Sequence, residues 1–200
     1  VTATPRPVTS TILGVRIGVY PGSFNPPTVA HLAVARAAFE QCRLERIELT
    51  ISRDTLGKHR DDLGEIDDRL ATLHRLTEQY PWLSAGVTDH RLIADIADGY
   101  DVVIVGADKW AQVIDPTWYG GSEAERNRAL GRLPHVAVAP RPPDPVPAPA
   151  TGVTILTIAE MFHPVSSTAV RQGRSDWLLR VDDPDVGRQP PGGLADDGMA

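Results

Sequence analysis

Two short stretches of this chain gather side chains suited to holding phosphate. The first is Tyr20-Pro21-Gly22-Ser23-Phe24-Asn25-Pro26-Pro27-Thr28-Val29-Ala30-His31. Gly22 lets a ligand approach the backbone where a Cβ would stand in the way. Pro26 and Pro27 stiffen the turn and delay the helix. Thr28 is a good N-cap, and the helix it opens turns its free N–H groups toward an anion. His31, three residues on, returns to the same end of that helix. The second stretch is Val165-Ser166-Ser167-Thr168-Ala169-Val170-Arg171. Its hydroxyls open a helix after Pro164, and Arg171 comes back to the face of Thr168. Hydroxyls, imidazole and guanidinium together suit chemistry on a phosphate chain, where donors stabilise charge rather than remove protons.

Elements must carry these stretches to one place. Short β-branched runs predict strands over Val15–Tyr20, Arg46–Ser52, Leu83–Val87, Asp101–Gly106, His135–Ala139 and Val153–Ile158. Helical spacing predicts helices over Thr28–Cys42, Ile66–Tyr80, Arg91–Asp98, Asp108–Ile114 and Ser122–Leu130. In the second of these, Ile66, Leu70, Leu73, Leu76 and Tyr80 fall on one face. Several strands are apolar nearly throughout, as parallel strands covered on both faces must be. Alternating strand and helix imply right-handed βαβ units and an open parallel sheet, with ligands at the carboxyl ends of its strands.

The 200 residues amount to about one large domain or two small ones. The expected organisation is a flexible arm over residues 1–11, a folded body over 12–181 and a disordered acidic tail over 182–200. Residues 140–152 hold six of the eighteen prolines and are expected as an extended loop. The net charge is −6, and the tail, with five acids and one base, carries −4 of it. Nothing in that balance suggests a nucleic-acid surface. No apolar run reaches the ~18–20 residues that span a membrane. Residues 1–10 hold one charge and no apolar block, unlike a secretory signal. A single cysteine, Cys42, excludes an internal disulfide framework and a Cys-rich zinc site, so a reducing, cytoplasmic setting is expected. No resident metal site is expected either.

Several chemistries lack their signatures. There is no GxxxxGK[ST] loop, no GxGxxG after the first strand, no GxSxG elbow and no HExxH. That disfavours a P-loop kinase, a dinucleotide dehydrogenase, an α/β-hydrolase and a zincin.

The string from Gly22 to Pro26, followed by Thr28-x-x-His31, resembles the first signature of the nucleotidyltransferase superfamily. Within it, the form is most similar to the nicotinamide/nicotinate mononucleotide adenylyltransferases, with Ala30 at a usual glycine. Val165–Arg171 resembles that family's Ile-Ser-Ser-Thr-x-x-Arg. Gly106-Ala107-Asp108 resembles its Gly-x-Asp, whose aspartate meets ribose hydroxyls. Trp118 and Arg141 match residues placed near the acceptor. Lys58 matches a lysine kept for phosphate, and Arg69 is expected at the same edge among the substrate contacts. The segment Gly86-Val87-Thr88-Asp89-His90-Arg91 has no tryptophan where eukaryotic-type members carry a Trp-Glu pair against the pyridine ring.

The resemblance implies a single Rossmann-like α/β domain with a doubly wound open parallel sheet. It implies transfer of AMP from ATP to a phosphate monoester, with nicotinate or nicotinamide mononucleotide as the first acceptor. His31, Lys58 and Arg171 are then the catalytic residues. Gly22, Ser23, Phe24, Thr28, Gly106, Asp108, Ser166, Ser167 and Thr168 hold ATP, and Arg69, Trp118 and Arg141 hold the acceptor. Mg²⁺ arrives with ATP. The partners are ATP and a phosphorylated small molecule, with neither nucleic acid nor membrane, and a homo-oligomer is compatible. Phosphopantetheine as acceptor, CTP as donor, and a nucleotide-binding regulator without turnover remain open alternatives.

Overall fold

The computed structural model describes residues 15–53, 66–148 and 150–180. The arm over 1–11, the tail over 182–200 and Lys58 lie outside the described residues. Six parallel strands form one sheet: β1 (Ile17–Pro21), β2 (Arg46–Ser52), β3 (Leu83–Thr88), β4 (Val102–Gly106), β5 (His135–Ala139) and β6 (Val153–Ile155). Their order is β3-β2-β1-β4-β5-β6, so the chain winds outward from β1 in one direction and from β4 in the other. This is the doubly wound Rossmann-like order. The crevice between β1 and β4 is its switch point, where ligands bind.

Strand alternation builds two cores. Ile47, Leu49 and Ile51 of β2 join Ile104 of β4 and Ala137 of β5 under α1 (Val29–Gln41) and α2 (Ile66–Gln79). Val19, Val103, Val105, Val136 and Val138 point the other way, against Ile96 of α3 (Ile93–Ile96) and Ala107 of α4 (Ala107–Ile114). The central strands are thus apolar on both faces because both are covered. In α2, Leu73 and Leu76 are buried, and Ile66 and Leu70, with Tyr80 just past the helix end, pack against the same core. Full burial of one such leucine is worth ~2–5 kcal/mol against alanine.

The helix expected over Arg91–Asp98 shrinks to the four residues of α3. Gly99, at φ +86°, follows it closely and turns the chain back toward β4. The strand expected over Val153–Ile158 stops at Ile155, which pairs with Val138, one residue short of the end of β5, its neighbour in the sheet. Beyond α5 (Glu123–Leu130) and β5, residues 141–144 make a tight turn, with Asp144 N–H donating to the Arg141 carbonyl at 2.9 Å. Short α6 (Ser167–Arg171) ends the second phosphate stretch. The chain then crosses back, and Leu179 N–H donates to the Pro27 carbonyl at 3.1 Å. Among the described residues, no helix is long and apolar enough to cross a membrane.

Candidate active site

The turn after β1 rests on Phe24. This residue has no exposed surface and adopts φ +44°, a strained conformation for a bulky side chain. Its ring meets Tyr20 edge-on, with centroids 5.6 Å apart, and lies 5.0 Å from the His31 ring. A Cβ on Gly22 would stand 2.8 Å from the Phe24 ring, so glycine is required here by packing beneath the turn as well as by any approach from above. Phe24 was expected among the ATP contacts. Its complete burial makes it the floor under the turn instead.

Arg69 corrects a second expectation. It lies on α2, is 6% exposed, and donates from Nη1 to the Ser23 carbonyl at 2.8 Å. Burial lowers its tendency to stay protonated. Arg69 lines neither cavity described below. Its described contact fixes the shape of the turn rather than holding an acceptor.

At the start of α1, Thr28 is the N-cap and His31 the third helical residue. The Thr28 N–H donates to His31 Nδ1 at 3.0 Å, and the Thr28 hydroxyl lies 2.8 Å from the same nitrogen. A nitrogen that accepts an amide proton cannot carry its own, so the neutral ring has its proton on Nε2. Thr28 is only 1% exposed, and both its backbone N–H and its hydroxyl meet the imidazole and fix its orientation. Burial pushes the neighbouring Tyr20 hydroxyl well above the usual phenol range, and Asp108 adds to that. Tyr20 therefore stays neutral beside the imidazole.

The second phosphate stretch closes over the first. Ser166 caps α6 and accepts from Ala169 N–H at 3.1 Å. Ser167 Oγ donates to the Pro26 carbonyl at 2.8 Å. Arg171 donates from Nη1 to the Asn25 carbonyl and from Nη2 to Thr168 Oγ1 at 3.3 Å. Two segments about 140 residues apart are thus sewn together through side chains on backbone oxygens.

At the end of β4, Gly106 caps α4, which starts one residue before the expected Asp108. A Cβ at Gly106 would stand 2.5 Å from Asp108 Oδ1, so glycine leaves room for that carboxylate over the strand end. Arg141 reaches across from β5 to within 3.9 Å of Asp108.

These groups line a cleft of about 800 Å³ over the switch point. Gly22, Ser23, Thr28, His31, Gly106, Asp108, Arg141, Ser166, Ser167, Thr168 and Arg171 all face it. Beside it lies a smaller cavity of about 100 Å³, bounded by Ser52, Arg91, Ile93, Gln112, Trp118 and Tyr119 among others. Trp118 sits on a 3-10 turn (Pro116–Tyr119) capped by Asp115, which accepts from Thr117 N–H at 2.9 Å. Gly120, in a left-handed conformation at φ +66°, ends that turn. Tyr119 is tied back by its hydroxyl to the Val113 carbonyl at 2.9 Å.

Trp118 and Arg141 were expected together on the acceptor. The structure separates them: Trp118 bounds the small cavity and Arg141 the large cleft. The sequence reading missed Arg91 and Gln112 in the small cavity, Asp144 in the cleft, and Lys109 in both; His163, just before the second phosphate stretch, lines the cleft as well. Gln112 had a usable signal, since it follows Asp108 by one helical turn. Arg91 and Asp144 had none, because they depend on how loops fold over strand ends. Among the described residues, no group of three or more His, Cys, Asp or Glu side chains could hold a metal.

Two curated relatives match over most of this chain, and a third over about a third of it. A probable nicotinate-nucleotide adenylyltransferase of Bacteroides thetaiotaomicron is 26% identical over 172 residues, 79% of this chain and 81% of the relative. One of Gloeobacter violaceus, with the same description, is 26% identical over 192 residues, 82% of this chain and 88% of the relative. One of Salinibacter ruber is 37% identical over 65 residues, 32% of this chain and 33% of the relative. A cytidylyltransferase-like family model matches residues 19–173, from within β1 to just past α6. The match takes in both phosphate stretches and the Gly106–Asp108 corner between them, and the chain belongs to this family of the nucleotidyltransferase superfamily.

Proposed function

We propose that this protein transfers AMP from ATP to the phosphate of nicotinate mononucleotide, releasing pyrophosphate. The observation that carries the reading is the cleft itself, which brings the His31 turn and the Ser166–Arg171 segment to one switch point. ATP lies in that cleft, with Asp108 accepting from the ribose hydroxyls. His31 donates from Nε2 to an α-phosphate oxygen. Ser167, Thr168 and Arg171 hold the β- and γ-phosphates, and Ser166 caps the segment that carries them. Lys58 is assigned to offset repulsion between the two anionic substrates. The acceptor phosphate is already anionic, so the reaction needs placement and charge stabilisation more than a general base.

The acid form of the pyridine is supported by the small cavity. Its charged lining among the described residues is Arg91 and Lys109, both cationic. A nicotinate ring brings a carboxylate there, and Trp118 supplies an aromatic surface for the ring. The relatives' descriptions name the same acceptor. Mg²⁺ fits as an ion carried in by the phosphates. Among the described residues, Asp108 and Asp144 are the carboxylates at the cleft, too few for a protein cage and enough to hold water around a phosphate-bound ion. When bound, it neutralises charge on the triphosphate.

The test is pyrophosphate release from each nucleoside triphosphate against a panel of acceptors. Release from ATP with nicotinate mononucleotide, exceeding that with nicotinamide mononucleotide, supports the reading. Release only with 4′-phosphopantetheine, or only from CTP with a phosphoalcohol, replaces it.

A further inference from the structure

The two cavities meet along a short wall. Pro21, Gly22 and Ser23 form its backbone, and among the described residues Lys109 is the one side chain that lines both cavities beyond that turn. Lys109 is the third residue of α4, half-buried, and its Nζ donates to Gln112 Oε1 at 2.7 Å. Gln112 lines only the small cavity and Asp108 only the large one. The first turns of α4 therefore divide the two compartments, with a cation at the division.

Transfer between the compartments has one geometric demand. An oxygen of the acceptor phosphate must approach the α-phosphorus in line with the departing pyrophosphate. A ring seated by Trp118 and an α-phosphate beside His31 leave the acceptor phosphate at the wall. Two phosphates meet there, and an ammonium between them lowers their repulsion without giving up a proton.

We propose that Lys109 binds the acceptor phosphate and positions it for attack, with Gln112 holding the ammonium at the wall. This rests on the transfer reading above and adds a residue to it. In the step, an acceptor phosphate oxygen forms a bond to the α-phosphorus as the bond to the β-phosphate's bridging oxygen breaks. Pyrophosphate leaves with that electron pair, and Lys109 remains protonated throughout. An ammonium has three donors, so the Gln112 bond and a phosphate contact coexist.

The experiment compares the full chain with Lys109→Met and Lys109→Arg. Calorimetry measures binding of nicotinate mononucleotide and of nicotinate riboside, which lacks the phosphate, and of ATP. A charge-assisted contact predicts that wild type prefers the mononucleotide by about tenfold or more. Lys109→Met should collapse that preference toward one and raise the acceptor KM, with ATP weakened much less than the mononucleotide and circular dichroism as the check on folding. Lys109→Arg should recover part of the preference. An unchanged preference in Lys109→Met, or equal weakening of ATP and mononucleotide, overturns the proposal. If wild type binds the pyridine ligands but releases no pyrophosphate, the transfer reading fails and the preference still decides Lys109. If wild type binds neither, 4′-phosphopantetheine and pantetheine are compared in the same way. Absence of any phosphate preference in both pairs overturns the proposal too.

Discussion

The Ser167 hydroxyl donates to the carbonyl oxygen of Pro26 at 2.8 Å, across 141 residues of sequence. With the Arg171 bond to the Asn25 carbonyl, it makes the roof of the cleft depend on the turn at its floor. Arg171→Ala should therefore weaken ATP by about tenfold or more, in the range of a lost charged hydrogen bond, and AMP much less. Ser167→Ala should act in the same direction and more weakly. Direct titration of both nucleotides checks this; equal losses for ATP and AMP would move Arg171 away from the β- and γ-phosphates.

His31→Ala should lower kcat by ~10²–10³, as loss of one transition-state donor does, with a smaller effect on ATP affinity. The Thr28 N–H on Nδ1 makes Nε2 the donating nitrogen. A glutamine at 31, which offers an N–H at a similar reach, should recover part of the loss. A kcat within threefold of wild type for the alanine variant would remove His31 from the reaction.

Trp118→Ala should raise KM for the mononucleotide by up to about tenfold, the scale of one aromatic contact, and leave KM for ATP nearly unchanged. The basis is the seat of Trp118 on the small cavity, apart from Arg141 and the large cleft. Steady-state kinetics with each substrate varied separately decides it.

Arg69→Met should cost about 1–3 kcal/mol, because the Ser23 carbonyl loses a buried donor. Since the turn borders both cavities, KM for both substrates should rise together. Chemical denaturation and two-substrate kinetics report the two effects. A rise confined to the acceptor would restore Arg69 as a direct contact.

Stability should fall with acid partly through His135. Burial holds its imidazole below the ordinary value of 6.5, and Arg16 adds to that, while Nε2 lies 2.7 Å from Thr154 Oγ1. The folded state thus favours the neutral ring, and below about pH 6.5 the unfolded chain binds more protons. Stability present above that pH is lost as pH falls through it toward the folded value. Melting temperatures from about pH 7.5 to 5 should drop less steeply in His135→Gln than in wild type. Parallel slopes would assign the acid loss to other groups.

Local periodicity by itself determined the elements and their alternation. Arg46–Ser52 and His135–Ala139 emerge with the expected bounds, and α1 is flanked by Thr28 and Cys42 as its caps. Strand propensity, capping and helical spacing are short-range, so they are visible in the chain order. The two phosphate stretches were legible for the same reason, as turn and cap chemistry. What the tertiary structure decided is which groups face which cavity. Phe24 goes under the turn and Arg69 behind it, because burial depends on what packs against a residue from distant segments. Arg141 and Trp118 part company, since each rides a loop whose direction is set beyond its strand or helix. Lys109 gains its meaning only where β1 and β4 diverge, because a wall between two cavities is a property of the sheet's switch point and of no local stretch of sequence.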